Sequence, residues 1–239
     1  MDVLFRSAAW LADPAHWVDA NGIPARLVEH VGLSAISLLI AMAIALPVGL
    51  WIGHTGRWTW LAVNAANIWR ALPSLAVIAI VLPLTARLDP QAGFKLYPTV
   101  VAMVVLALPP ILVNAHAGLR AVDREVVEAA RGQGMSAWQV LTRVELPLAV
   151  PVILAGIRSS AIQVIATATL GAVFGFGGLG RFLVDGFAQF SRGGDAQMVA
   201  GVVLVALLVL TAEVLFARLQ SVVVPRGVIR DRPARATAT

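Results

Sequence analysis

Residues 128–147 read EAARGQGMSAWQVLTRVELP, a polar, arginine-bearing stretch held between two long apolar runs. Its spacing is Glu128-Ala129-Ala130, a glycine four residues after the second alanine (Gly134), nine further residues, then Val144-x-Leu146-Pro147. From Val122 to Gln133 the residues are good helix formers, with Val122, Val126 and Ala129/Ala130 at three- and four-residue spacing, which predicts a helix. Gly132 and Gly134 supply the left-handed stop expected just past a helix end. Ser136 with Gln139 three positions on reads as a capping box opening a second short helix, which carries Trp138 and Leu141 on one side. That helix is expected to end before Pro147, a residue suited to the first turn of the next. Small side chains at Ala129 and Ala130 permit close approach by another backbone, and Trp138 is a ready apolar anchor. The segment predicts a docking hairpin.

Composition says what flanks it. Hydrophobic residues make up 59% of the chain and charged residues only 13%, with a mean hydropathy of +0.84. A soluble domain would carry nearer a quarter charged residues, so this is an integral membrane protein. No cysteine is present, which excludes disulfides, thiolate metal sites and cysteine nucleophiles together. The arginines are scattered among membrane loops and form no basic stripe, which argues against nucleic acid as a partner.

Charge-poor windows predict five spans in an all-α, polytopic fold: about Val31–Ile52, Trp60–Leu84, Tyr97–Ala117, Ala149–Phe174 and Ala196–Leu219. Arg70 and the helix-disturbing Leu72-Pro73 interrupt the second, and Pro109-Pro110 are expected to kink the third. Three regions follow: an external or interfacial segment over 1–29, a transmembrane domain over 30–220 containing a cytosolic loop at 118–147, and a basic tail over 221–239, expected to be disordered. With the C-terminus inside, loops and tail there hold ten arginines against six basic residues outside, which favours an external N-terminus. Asp2, Asp13 and Asp19 interrupt the first thirty residues and argue against a cleaved signal peptide; an amphipathic segment around Val3–Trp17 lying on the outer leaflet is expected instead.

The only lysine, Lys95, follows Phe94, so no phosphate-binding GxxxxGK can be built and any ATP must bind another polypeptide. Gly175-Phe-Gly177-Gly178-Leu-Gly180 formally matches GxGxxG, but it follows a membrane span with no strand before it. It is read as the turn by which the chain leaves that span. His16, His30, His54 and His116 show no ligand spacing, and no metal is expected.

The loop pattern resembles the EAA loop of permease subunits in bacterial ABC importers, EAA-x3-G-x9-I-x-L-P, with Val144 in place of the usual isoleucine. The phrases RALPSLAVIAIVLPL (from Arg70), VELPLAVPVILAGIRSSAIQVIATATLGA and GFGGLG are similar to permeases of the glycine betaine, carnitine and choline importers. The resemblance implies a type I importer permease fold in the bacterial inner membrane, working by alternating access. Its implied partners are ABC ATPase subunits carrying the ATP and magnesium, an extracytoplasmic substrate-binding protein, and a second permease, identical or related. No cofactor is expected on this chain, and it is not itself an enzyme. Glu128, Ala129, Ala130, Gly134 and Trp138 would form the coupling surface, with Leu146 and Pro147 fixing the loop to the fourth span.

Polar residues within spans are functional candidates by default. Arg70, Arg158 and Glu213 lie roughly 9 to 15 Å from the cytosolic surface at 1.5 Å rise per residue, so all three can meet at one level. Snorkelling to the inner headgroups is the competing account. Trp69, Pro73, Asn114 and Gln163, with Asn64 and Asn67, either line the path or bind helices together. Few aromatic side chains accompany Trp69, so a tight cage for a quaternary ammonium is not expected and selectivity is assigned to the separate binding protein. A self-sufficient secondary transporter would need an internal repeat and an acidic coupling residue near the midplane; Glu213 is the one buried acid, and no repeat is evident. A type I permease for another small solute, such as an amino acid or a sulfonate, is the nearer alternative.

Overall fold

The computed structural model describes residues 2–60, 64, 68–69 and 73–223, which are helical with short connections and no strand among them. Helix α1 (Asp2–Ala12) and the single turn α2 (Ala15–Val18) precede α3 (Ile23–Thr55). Then follow α4 (Ser74–Leu88), α5 (Ala92–Arg120), α6 (Arg124–Gly132) and α7 (Ala137–Val140). A π-helical turn (Leu141–Glu145) carries α7 into α8 (Leu146–Gly171); α9 (Gly180–Ala188) and α10 (Asp195–Val223) complete the chain.

Among the described residues four stretches, Ile23–Thr55, Ala92–Arg120, Ala137–Phe174 and Asp195–Val223, are long and apolar enough to cross a bilayer. Of the second expected span, the described continuous part is the 15-residue α4, whose roughly 22 Å falls short of a hydrocarbon core of about 30 Å. Pro73, extended at ψ 130°, starts that helix, so the expected break before Ser74 is present. Helix α3 is longer than expected. It begins at Ile23 with a proline in its first turn and ends at Gly56, a left-handed residue (φ 70°) whose N–H reaches Ile52 at 2.9 Å.

The centre of the bundle is α5, packed against α3 on one side, α8 on another and α4 on a third. Lipid tails are as apolar as leucine, so close backbone approach, not hydrophobic contrast, must hold these helices together. The sequence supplies it as small residues every four positions on α3: Ser37, Ala41, Ala45, Gly49 and Gly53, all buried. A Cβ on Gly49 would lie 2.8 Å from both the Ala115 Cβ and the Leu112 carbonyl, so α3 and α5 meet backbone to backbone. The α5–α8 seam repeats the device. A Cβ on Gly156 would lie 2.5 Å from the Asn114 Cβ, and Ser160 Oγ donates to the Ala107 carbonyl at 2.9 Å. Both contacts flank Pro109-Pro110, whose missing N–H groups leave carbonyls one turn back without their usual donors.

The N-terminal segment packs against the end of the bundle. Helix α1 packs on α10, with an Arg6–Asp195 ion pair, and Trp10 meets Phe182 of α9 edge-on at 5.3 Å. Ser7, Trp10 and Leu11 form the face of α1 turned to the protein, while Leu4 and Phe5 stay exposed. The tail beyond Val223 lies outside the described residues.

Candidate coupling surface and translocation path

The predicted hairpin is present. Asp123 caps α6 by accepting from the Glu125 N–H at 2.9 Å, and α6 runs to Gly132. Gly134 takes the left-handed stop at φ 86°; Gly132 stays helical, so one glycine performs the role expected of two. At Ser136 both halves of the capping box form: the Gln139 N–H donates to Ser136 Oγ (3.3 Å), and the Ser136 N–H donates to Gln139 Oε1 (2.8 Å). The second helix does not stop before Pro147. The π turn is wider than an α turn and absorbs the extra residue, so backbone helix continues into α8 with Pro147 in its first turn.

This hairpin presents Glu128, Ala129, Gly134 and Trp138 to solvent, Trp138 at 71% exposure. Ala130 is a correction: it is buried, because the helix turns it toward its own protein, and only Ala129 is left for a visitor. Among the described residues Glu128 and Arg131 have no ion-pair partner, so the charges on this face are uncommitted. Leu146 packs against the core cluster and ties the hairpin to α8, while Pro147 is exposed.

Within the bundle, the structure joins Arg158 on α8 to Glu213 on α10 in an ion pair, and Glu213 Oε2 is buried with no hydrogen-bond partner among the described residues. Arg70 and Asn67 lie outside the described residues, so the proposed meeting of three charges is seen for two. Asn114 donates to the Pro110 carbonyl of its own helix at 2.8 Å and packs at the Gly156 crossing. Asn64 likewise donates to the Trp60 carbonyl at 2.7 Å. Gln163 is half-buried, and Trp69 is 40% exposed. Removing one partner of the Arg158–Glu213 pair strands the other charge, so Arg158→Gln or Glu213→Gln alone should lower both uptake and the detergent melting temperature. The double change should recover part of that loss; strictly additive losses would show that the two charges act independently.

Two interactions escaped sequence reading. Glu29 Oε2 accepts the Gly178 N–H at 2.8 Å, and buried His30 accepts the Leu179 N–H at 3.2 Å while its other nitrogen meets the Ile165 carbonyl at 3.0 Å. The GFGGLG turn is thereby clamped onto the start of α3. A side chain at Gly177 would collide with Glu29, its Cβ 2.0 Å from the carboxylate. The second is a contact of His54 Nδ1 with Glu145 Oε2 at 2.5 Å, from the end of α3 to the last residue of the π turn.

The arrangement is an apolar helical bundle with a capped, exposed polar hairpin between α5 and α8, and its likeness to known proteins gives its class. Residues 45–226 match the family described as binding-protein-dependent transport system inner membrane component, and the chain belongs to that family. It is 35% identical to the osmoprotectant import permease OsmW of Salmonella typhimurium over 222 residues, 90% of this chain and 99% of that one. The carnitine transport permease OpuCB of Listeria monocytogenes is 32% identical over 204 residues, covering 85% of this chain and 89% of its own. The glycine betaine/carnitine/choline permease OpuCB of Bacillus subtilis is 32% identical over 199 residues, 83% of this chain and 87% of that. Among solved structures, the inward-facing MetNI methionine ABC transporter superposes with a TM-score of 0.73 at 23% identity, over 89% of this chain and 99% of the other. That likeness is one of fold: the all-α type I importer permease. The protein is a multi-pass inner-membrane permease subunit of an ABC importer.

Proposed function

We propose that this permease carries quaternary-amine osmoprotectants (glycine betaine, choline, carnitine) by alternating access, driven by a separate ATPase that docks on the exposed face of the hairpin formed by Glu128, Ala129, Gly134 and Trp138. The coupling half rests on one observation: a doubly capped hairpin stands clear of an apolar bundle and exposes an uncommitted Glu128, a left-handed Gly134 and Trp138 together. The solute half rests on relatives that match nearly end to end and are named for these solutes. ATP and magnesium belong to the ATPase, an external binding protein supplies the solute, and a second permease completes the path. Arg158 and Glu213 hold α8 to α10 near the inner gate, with Trp69, Arg70, Pro73, Asn114 and Gln163 as the remaining path or gate residues.

Docking on an ATPase requires a cytosolic hairpin, hence Thr239 inside and, with the second expected span crossing the membrane, Met1 outside. The chain has no cysteine, so single cysteines report topology cleanly. A cysteine at exposed Gln91 should react with an impermeant maleimide from outside, and one at exposed Gln133 only after lysis. The reverse labelling would place the hairpin on the wrong face. ATP-driven uptake of glycine betaine by the reconstituted complex tests the function itself.

A further inference from the structure

The seams that hold this bundle together are tight, and one junction is not. Helix α3 meets α5 backbone to backbone at Gly49 and Gly53, whereas two cavities border it on the hairpin side. On one side an apolar groove of about 520 Å³ separates Leu46, Leu50 and Trp51 of α3 from Trp138 and Leu141. On the other side a polar cavity of about 260 Å³, lined by Arg120, Arg124, Glu128 and Arg131, separates the end of α3 from α6. His54 borders both spaces and, bonded to Glu145, crosses between them. Glu145 is 6% exposed, and among the described residues His54 is its one side-chain partner. A buried carboxylate is costly unless it is hydrogen-bonded, so this pair has reason to persist. The π turn puts Glu145 there. Its extra residue rotates the helix just before Leu146 and Pro147, and such turns recur at functional positions.

We infer that His54–Glu145 is a tie by which displacement of the hairpin is passed to α3 during transport. The inference rests on the coupling reading above but concerns residues that do not belong to the docking surface: both are positioning residues. Packing cannot pass motion across a gap, since contacts fall away steeply with separation. A hairpin pulled or pushed by its partner moves α8 through the continuous backbone, and this pair ties the π turn directly to the end of α3, beside the packing of α3 on α5 and α8. Cutting the tie leaves the docking face intact and removes the direct side-chain link from the π turn to α3.

The test uses the full complex of permease, ATPase and binding protein in liposomes, reading ATPase co-purification, ATP hydrolysis and glycine betaine moved per ATP. His54→Phe and Glu145→Met cut the tie while keeping side-chain volume. Both should keep the ATPase bound and hydrolysing, with solute moved per ATP reduced at least fivefold. The double variant His54→Cys/Glu145→Cys should be equally uncoupled. A short bis-methanethiosulfonate cross-linker, which forms a disulfide with each cysteine and releases methanesulfinate, should restore at least half the ratio, and reductant should abolish it again. That comparison is internal to one protein, so a folding defect cannot mimic it. An unchanged ratio in the single variants, or a cross-linked protein that stays uncoupled, would overturn the inference. Loss of ATPase binding in the single variants would also overturn it, by assigning the pair to the docking face. Glu128→Arg in parallel judges the docking reading separately: if it leaves assembly and uptake unchanged, that reading fails whatever the pair does.

Discussion

Glu128→Arg is expected to abolish co-purification of the ATPase and to lower solute uptake at least tenfold, with the protein still inserted and still folded. The reason is positional. Glu128 is exposed on α6 and has no ion-pair partner among the described residues. Reversing its charge therefore alters what a partner meets without disturbing the bundle, where surface substitutions ordinarily cost under about 0.5 kcal/mol. Gly134→Arg should act more strongly. It adds bulk to the same face and also places a side chain at φ 86°, a left-handed conformation that costs roughly 1–2 kcal/mol for a residue with a Cβ. No atom lies within 4 Å of a Cβ there, so the strain is local and the rest of the protein stays in place. Detergent melting, pull-down of the ATPase and uptake, measured on the same preparations, separate the outcomes. Normal assembly and normal uptake in both variants would remove the docking assignment.

The largest effect on stability is expected at the α5–α8 crossing. A methyl group at Gly156 would sit 2.5 Å from the Asn114 Cβ and 2.8 Å from the Pro110 carbonyl, closer than side chains approach. Neither neighbour can yield easily, since one is rooted in α5 and the other is its backbone. Overpacking of this kind costs about 1–3 kcal/mol and at times more, so Gly156→Ala should lower the melting temperature by several degrees, and Gly156→Leu should prevent stable accumulation in the membrane. Gly49→Ala should behave similarly at the α3–α5 seam. Gly32 is the control: it lies on the same helix as Gly49 with nothing within 4 Å of its Cβ position, and Gly32→Ala should be neutral or slightly stabilising. Equal melting temperatures for Gly32→Ala and Gly156→Ala would contradict the packing account.

These two sites show what a single sequence displays and what it conceals. The hairpin was readable because its determinants are local. Asp123, Gly134 and the Ser136–Gln139 box each act within four residues, and the long apolar runs mark spans by composition alone. The packing seam was half visible: small residues recur every four positions on α3, but which helix they admit is set by topology. The interactions missed join distant segments, His54 to Glu145 across 91 positions and Glu29 to Gly178 across 149. Neither pair has a periodic signature. The π turn is similarly silent, since it differs from an α turn by one hydrogen-bond register and uses ordinary residues. Ala130 was misjudged for a related reason: Ala129 and Ala130 are equivalent by type, and only the helix's seating on the bundle decides which one faces out.

The central claim, that this chain is the membrane path of an importer for quaternary amines powered through its hairpin, is tested most directly in proteoliposomes. The wild-type permease, reconstituted with its ATPase and binding protein, should accumulate radiolabelled glycine betaine only when ATP and solute-loaded binding protein are both present. Loaded binding protein should also stimulate ATP hydrolysis, and excess choline or carnitine, but not methionine, should compete. Uptake by the permease alone without ATPase, or competition by methionine with none by quaternary amines, would contradict the account.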